Sequence, residues 1–484
     1  TKLVLPRLGG SPGVWSVAMV FFQAVLLAGY AYSHWLVNRF PVRRGATIHL
    51  GLMIAVMAFG LPIGIAAGFE RPPTEWEAPW LVLLFALSVG LPFFAVSANG
   101  PLLQSWFSRT GHVQAHDPYF LYAASNFGSF GALIAYPLLI EPFLPLSWQL
   151  SGWSWGFAAL FATIVACAGF AVGDHPAVSD DAKPVEVTHA PLVSRRDIFG
   201  WVALSFVPSA LLVAVTAHIS TDIAAAPFLW VAPLGLFLLT FIIVFQRRPV
   251  LRRQWMLHAQ LGFFALLLVA SALGKGVPWP VGLTLHLGLF FATAMVAHGE
   301  LAASRPDARH LTAFFMWISV GGVLGGLFSG LIAPLIFNSI AEYYLLLGLG
   351  LLCRPGLLPA IGSPRRKPVL MAAFGVGVIG FFGLIAKEQL RTDSIRSFFG
   401  VHSLHEYENG QVRVLAHGNT MHGAQRIRDA NGQALSGLPE PLTYYYFGGP
   451  MSEGIEAVRE RLGGKLGPVA AIGLGSGSLA CHRR

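Results

Sequence analysis

Residues 226–253 read APFLWVAPLGLFLLTFIIVFQRRPVLRR. From Ala226 to Phe245 there is no charged side chain, and a run of about 20 apolar residues is what an α-helix needs to cross a bilayer. Arg247, Arg248, Arg252 and Arg253 follow at once. Basic residues in short loops stay on the cytoplasmic side of a membrane, so this stretch gives both a span and its direction.

The same pattern recurs along the chain. Apolar runs of this kind cover 13–36, 45–67, 78–98, 119–140, 150–173, 199–217, 225–246, 255–273, 279–301, 311–337, 340–360 and 368–386. Basic residues follow alternate runs: Arg39, Arg43 and Arg44; Arg109; Lys183, Arg195 and Arg196; the four arginines above; Arg305 and Arg309; and Arg354, Arg365, Arg366 and Lys367. The other loops carry little beyond Arg71 and Lys275. The odd-numbered loops are therefore expected in the cytoplasm and the start of the first run outside. The chain opens on TKLVLPRLGG, without Met or a signal peptide. A further helix upstream of residue 1 fits that orientation.

Composition agrees. Of 484 residues, 55% are hydrophobic and 11% charged, against about 25% charged in a soluble domain, and the mean hydropathy is +0.62. The net charge of +9 sits in loops between apolar runs, which argues for the lipid bilayer as partner and against nucleic acid. Cys167, Cys353 and Cys481 give no disulfide framework, and the first two read as packing residues.

The chain also echoes itself. SPGVWSVAMVFF opens the first run and APFLWVAPLGLF the seventh, each with Pro three residues before Trp: Pro12 and Trp15, Pro227 and Trp230. RFPVRR and RRPVLRR follow them. Later, Ser125, Gly128 and Gly131 fall opposite Ser319, Gly322 and Gly325. The fold class expected is thus mainly α: a multi-pass bundle with duplicated halves, 1–173 and 199–387, the second with an extra helix. The polar segment 174–198 links them. Parallel halves of this kind occur in major facilitator transporters.

From residue 388 the composition changes. Asn409-Gly410 and Asn431-Gly432 are hairpin turn signals, so β-hairpins are expected over 398–448. MSEGIEAVRERLGG predicts a helix over 450–462, capped by Ser452 and ended by Gly463. PVAAI then reads as a short buried strand, and Gly473, Gly475 and Gly477 follow it. Over 468–480 this predicts the first strand and Gly-rich turn of a Rossmann-like α/β domain. The spacing is G-x-G-x-G rather than G-x-G-x-x-G, because Ser478 holds the sixth position. Glycines there let a backbone approach a ligand; a plain Gly-rich turn is the alternative.

SFFGVHSLHEYENGQVRVLAHG, PLTYYYFGGP and VAAIGLGSGSLA together resemble the opening of a polyamine aminopropyltransferase, the spermidine synthase family. With LPRLGGSPGVW, VFFQAVLLAGYAY, SANGPLLQSWF, YFLYAASNFGS and ISTDIAAAPFLWV in front, the chain resembles fused major facilitator/spermidine synthase membrane proteins. The resemblance implies amine modification with decarboxylated S-adenosylmethionine as co-substrate, and no metal. It implies cofactor contacts at Gly473, Gly475, Gly477 and Gln425, amine contacts at Tyr444 and Tyr445, and the bacterial inner membrane as location. It places the catalytic acid beyond residue 484, so that this polypeptide alone is expected to be inactive.

The sequence departs from that family where its Asp-Gly-x-x-Gln would stand: here His417, Gly418, Asn419, Thr420 and Met421. Tyr444, Tyr445 and Tyr446 replace its Tyr-His-Glu. Some of the carboxylates that a cationic amine needs as partners are therefore missing here. The competing reading is a transporter, membrane binding protein or scaffold whose synthase-like domain is non-catalytic. Asn99, Asn126, His286 and His298 are then candidates to line a cavity, since polar groups in a membrane are functional by default. Glu300 belongs to a cytoplasmic end, and Asp222 reads as a helix cap. Gly321/Gly325 and Gly326/Gly330 read as tight helix packing. His402 and His405 point to opposite faces of a strand, and with His417 and His422 they make no metal site. Loop parity puts residues 388–484 outside, in conflict with a cytoplasmic cofactor.

Overall fold

A computed structural model describes residues 2–9, 11–73, 75–173, 193–220, 230–247, 250–273, 277–355, 377, 380, 383, 393–418, 420–436, 439–471 and 475–482. The expected run 368–386, most of the linker 174–198, Asp222, Asn419 and Gly473 lie outside that set, wholly or in large part.

The helices are α1 (Pro12–Arg39), α2 (Val42–Phe59), α3 (Glu77–Phe107), α4 (Phe120–Phe143), α5 (Leu146–Gly173), α6 (Arg195–His218), α7 (Val231–Phe245), α8 (Arg253–Leu273), α9 (Trp279–Ala303), α10 (Ala308–Ile336) and α11 (Ala341–Leu352). Among the described residues nine are long and apolar enough to cross a membrane, with α7 and α11 as shorter apolar helices. The chain is a multi-pass membrane protein.

Two boundaries differ from expectation for a clear reason. The second run stops at Gly60, just before Pro62, which cannot continue a helix. The third continues through SANGP to Phe107, with Pro101 inside it. Three spans contain a π-helical turn: Ala86–Gly90, Tyr136–Ile140 and Phe328–Ile332. Each ends two residues before a proline, Pro92, Pro142 and Pro334. A proline ring clashes with the carbonyl four residues back, and a widened turn makes room for it.

The two repeats interlock. α1 packs on α10, where Gly326 faces Gln23 and Gly330 faces Ser16 and Val20. α4 packs on α7, where Tyr122 meets Phe241 and Phe245 edge-on. Gly321 and Gly325 of α10 lie against Val202, Ser205, Phe206 and Ala210 of α6, so tight packing is what this glycine run provides. Gly131, the counterpart of Gly325, faces open space on the exposed side of α4. The pattern repeats in sequence but not in use.

After the bundle comes an antiparallel meander, β1 (Asp393–Ser397), β2 (Gly400–Tyr407), β3 (Val412–His417), β4 (Thr420–Arg426) and β5 (Glu440–Pro441), in that spatial order. The β2–β3 turn falls on Asn409-Gly410, both with positive φ. Val412, Val414 and Ala424 form its small core. The last helix, α12 (Pro450–Arg461), is entered through Gly449 with Pro450 at its first position. Ser452 is therefore a buried first-turn residue rather than the cap. Gly463 and Gly464, both at positive φ, close the helix on Glu460 and Arg459.

Residues 465–471 carry no strand, and Val469 is 69% exposed. The strand expected before the glycines is not formed, because a parallel strand needs a partner on its flank and none pairs with it among the described residues. Among the described residues the expected α/β domain is not seen.

Candidate functional site

Helix direction sorts the molecule into two ends. Arg39, Arg109, Arg195, Arg247, Arg253, Arg305 and Arg354 all lie at one. Loops of both repeats meet there: Arg305 pairs with Asp117 at 3.0 Å, Tyr119 donates to Pro306 O at 2.9 Å, and Arg247 donates to Gln114. Glu300 pairs with Arg253 at this end. The C-terminal sheet docks at the other. Arg396 of β1 holds both carboxylate oxygens of Glu342, at 2.9 and 2.8 Å. Phe398 packs over Gly13 and into the cluster of Val4, Leu8 and Val14.

Between these ends, buried polar side chains connect the helices. Gln23 of α1 donates to Ser209 Oγ at 2.9 Å, and Ser209 donates to Gly322 O at 2.9 Å. Gln23 Oε1 is buried with no hydrogen-bond partner among the described residues. On the same face of α1, His34 bonds Thr312 of α10 at 2.9 Å. Nearer the sheet end, His286 Nδ1 lies 2.7 Å from the Tyr343 hydroxyl and its Nε2 lies 3.3 Å from His218 Nε2. Tyr343 stacks on His218 with ring centres 4.7 Å apart. Three helices of the second repeat, α6, α9 and α11, thus share one polar cluster.

The sequence candidates divide. His286 belongs to that cluster. His298 bonds Thr240 at 2.7 Å and stacks on Phe241, its Nε2 buried without a hydrogen-bond partner among the described residues. Asn99 bonds His49 between α2 and α3, and Asn126 bonds its own helix at Tyr122 O. Both amides thus bond to bundle helices, Asn99 also to Ala95 O and Val96 O of its own helix. Gln23, His218, Glu342, Tyr343 and Arg396 were not singled out from sequence. Gln23 was detectable as a lone amide in VFFQAVLL; the others join only through tertiary structure.

In the C-terminal segment, Gly475 (φ +54°) approaches Tyr445 so closely that a Cβ would stand 2.7 Å from its hydroxyl. Ser476 packs on Gly423. Tyr444 donates to His422 O at 2.8 Å. Its hydrogen bond to Tyr445 holds that hydroxyl above the usual phenol range, burial adding to the shift. Gly477 (φ +73°) faces open space. Gln425 lies on β4 opposite Arg413 and Pro441, with no hydrogen bond to the glycines among the described residues. The structure thus gathers Gly475, Tyr444 and Tyr445 and leaves Gln425 apart. His402, His417 and His422 share one face of the sheet, with ring centres 4.8 to 6.3 Å apart. Adjacent rings stack, 18° and 27° between planes, rather than aim at one point. No group of three or more His, Cys, Asp or Glu that could hold a metal occurs among the described residues.

No family model matches the chain, and neither does any curated protein. Among solved structures, the crystal structure of the human organic anion transporter MFSD10 (TETRAN) is similar at 15% identity, over 76% of this chain and 82% of that one, with a TM-score of 0.41. A likeness that slight fixes neither fold nor function.

Proposed function

We propose that the chain is a membrane transport protein for a small polar solute, with the route between α1 of the first repeat and α6 and α10 of the second. The Gln23–Ser209–Gly322 hydrogen-bond chain across that seam carries the reading. Polar side chains inside a bilayer are expensive, and they concentrate where a solute or ion passes. The unpartnered Gln23 Oε1 is an acceptor that an ammonium or amide N–H would satisfy. An amine is therefore the solute class to test first. The sheet then acts as a non-catalytic cap on the non-cytoplasmic end, the end opposite the arginines.

The test is uptake of labelled spermidine and putrescine by proteoliposomes containing the full chain. Saturable, protein-dependent uptake that falls at least tenfold in Gln23→Leu is the expected result. No protein-dependent uptake of either amine overturns the proposal.

A second reading is aminopropyl transfer, favoured by the approach of Gly475 to Tyr445 and His422. It requires decarboxylated S-adenosylmethionine, and a non-cytoplasmic domain would not meet that co-substrate. Incubating the purified chain with that co-substrate and putrescine is expected to give no spermidine; its appearance would establish the enzyme.

A further inference from the structure

Glu342 is completely buried, and its partner Arg396 is 9% exposed. The carboxylate comes from the bundle, in the first turn of α11. The guanidinium comes from β1, the edge strand of the docked sheet. Arg396 Nη1 donates to Glu342 Oε2 at 2.9 Å and to Ser339 O at 2.6 Å, and Nη2 donates to Glu342 Oε1 at 2.8 Å. All three acceptors thus belong to the bundle. They form a fork that matches a planar guanidinium.

As glue, the pair is uneconomical. Taking two charges out of water is expensive, and apolar residues of similar size commonly hold two surfaces together as well or better. Apolar contacts also join β1–β2 to the bundle: the Phe398 ring over Gly13, and Val401 against the main core cluster. The buried carboxylate needs a different explanation.

We propose that Glu342 and the Ser339 carbonyl are a binding site for a guanidinium or primary ammonium group at the sheet end of the bundle, and that Arg396 is its tethered occupant. A free cation of that class competes with Arg396, and its binding releases the sheet. The site does not depend on the transport reading, because it is measured by binding with no flux.

The experiment uses the full chain in lipid nanodiscs with radiolabelled agmatine, which carries a guanidinium at one end and a primary amine at the other. Arg396→Ala is expected to bind agmatine at least tenfold more tightly than the unaltered chain. Arg396→Lys keeps an occupant and should stay weak. Adding Glu342→Gln to Arg396→Ala should abolish the gain. An unchanged affinity in Arg396→Ala, or a gain that survives Glu342→Gln, overturns the proposal. Should Arg396→Ala fail to fold, hydrogen exchange on the unaltered chain decides. Saturating agmatine should raise exchange over 339–345 and 393–400; no change there refutes the site.

Discussion

Trp15 and Trp230, the tryptophans that open the two halves of the sequence repeat, lie against each other with ring centres 4.5 Å apart. Equivalent residues meet in this way on a two-fold axis, where one surface is its own partner. The helix contacts follow the same rule: α1 packs on α10 while its counterpart α7 packs on α4, the counterpart of α10. Parallel repeats related by an axis along the membrane normal have this arrangement. Trp15→Ala should therefore remove a contact shared by both repeats. Both rings are partly buried, so the loss should stay below the about 3–5 kcal/mol of a fully buried aromatic, and a measurable fall in thermal midpoint in detergent is expected. Adding Trp230→Ala should cost much less than a second such loss, because both changes delete one contact. Fully additive losses would show that the rings do not depend on each other.

The side of the sheet is the second prediction. Arg354 at the far end of α11 donates to Leu257 O and Gln260, while Arg396 grips the other end of the same helix. The basic loops put Arg354 in the cytoplasm and the sheet outside. Asn431→Cys, at an exposed hairpin tip, should react with a membrane-impermeant maleimide in intact cells. Arg43→Cys, in a basic loop, should react only after permeabilisation. The reverse pattern would invert the protein and return the Gly-rich turn to the cytoplasm.

The membrane part of this fold was legible because lipid is an unforgiving solvent: an apolar run of the right length has few other options. Most spans were placed to within a few residues from hydropathy alone. Hydropathy could not show which glycines are packed. Gly128 and Gly325 sit in the same sequence pattern, yet one faces open space and the other the α6 backbone. The polar seam was less legible still. Asn99 and Asn126 looked like candidates as amides in apolar surroundings, but each found its partner close by. Gln23 acquires meaning only when Ser209, 186 residues away, is brought beside it. In the C-terminal segment the turn residues placed the hairpins. The strand before the glycines failed because periodicity cannot say whether a pairing partner exists.

That glycine contrast gives a third prediction. A Cβ at Gly325 would stand 2.8 Å from Ala210 N and 3.2 Å from Ser209 Cβ, so backbone must move to admit it. Gly325→Ala should destabilise by about 1–3 kcal/mol, the usual range for overpacking. Gly128→Ala meets nothing within 4 Å and removes a flexible residue from a helix. It should be neutral or stabilising by up to about 1 kcal/mol. Thermal unfolding of both variants in the same detergent reads the difference. Equal effects would mean that the α6–α10 contact is not close-packed.

A pH effect is expected at the end that carries the arginines. Backbone and side-chain hydrogen bonds from Arg309 hold the Asp307 carboxyl below its ordinary value of 3.8. A carboxyl depressed in the folded state stabilises above its unfolded pKa and loses that contribution as pH falls through the folded value. The turn over 307–310 should therefore be fully held at neutral pH and loosen only in acid below 3.8. Faster exchange of the Arg309 amide there, after correction for intrinsic rates, is the readout, and Asp307→Asn should remove the dependence.

The last prediction concerns the His286–Tyr343 bond. Tyr343 is fully buried and does two jobs: its ring stacks on His218 and its hydroxyl meets His286 Nδ1. Tyr343→Phe keeps the ring and deletes only the hydroxyl, leaving a buried imidazole nitrogen without its partner. Stability should fall by about 1–3 kcal/mol, the penalty for an unsatisfied buried polar group. Amine uptake should fall by more than that loss of folded protein explains, since the cluster ties together α6, α9 and α11. His286→Phe with Tyr343→Phe removes both polar partners and should recover stability relative to Tyr343→Phe without recovering uptake. Recovery of uptake along with stability would show that the cluster only supports packing.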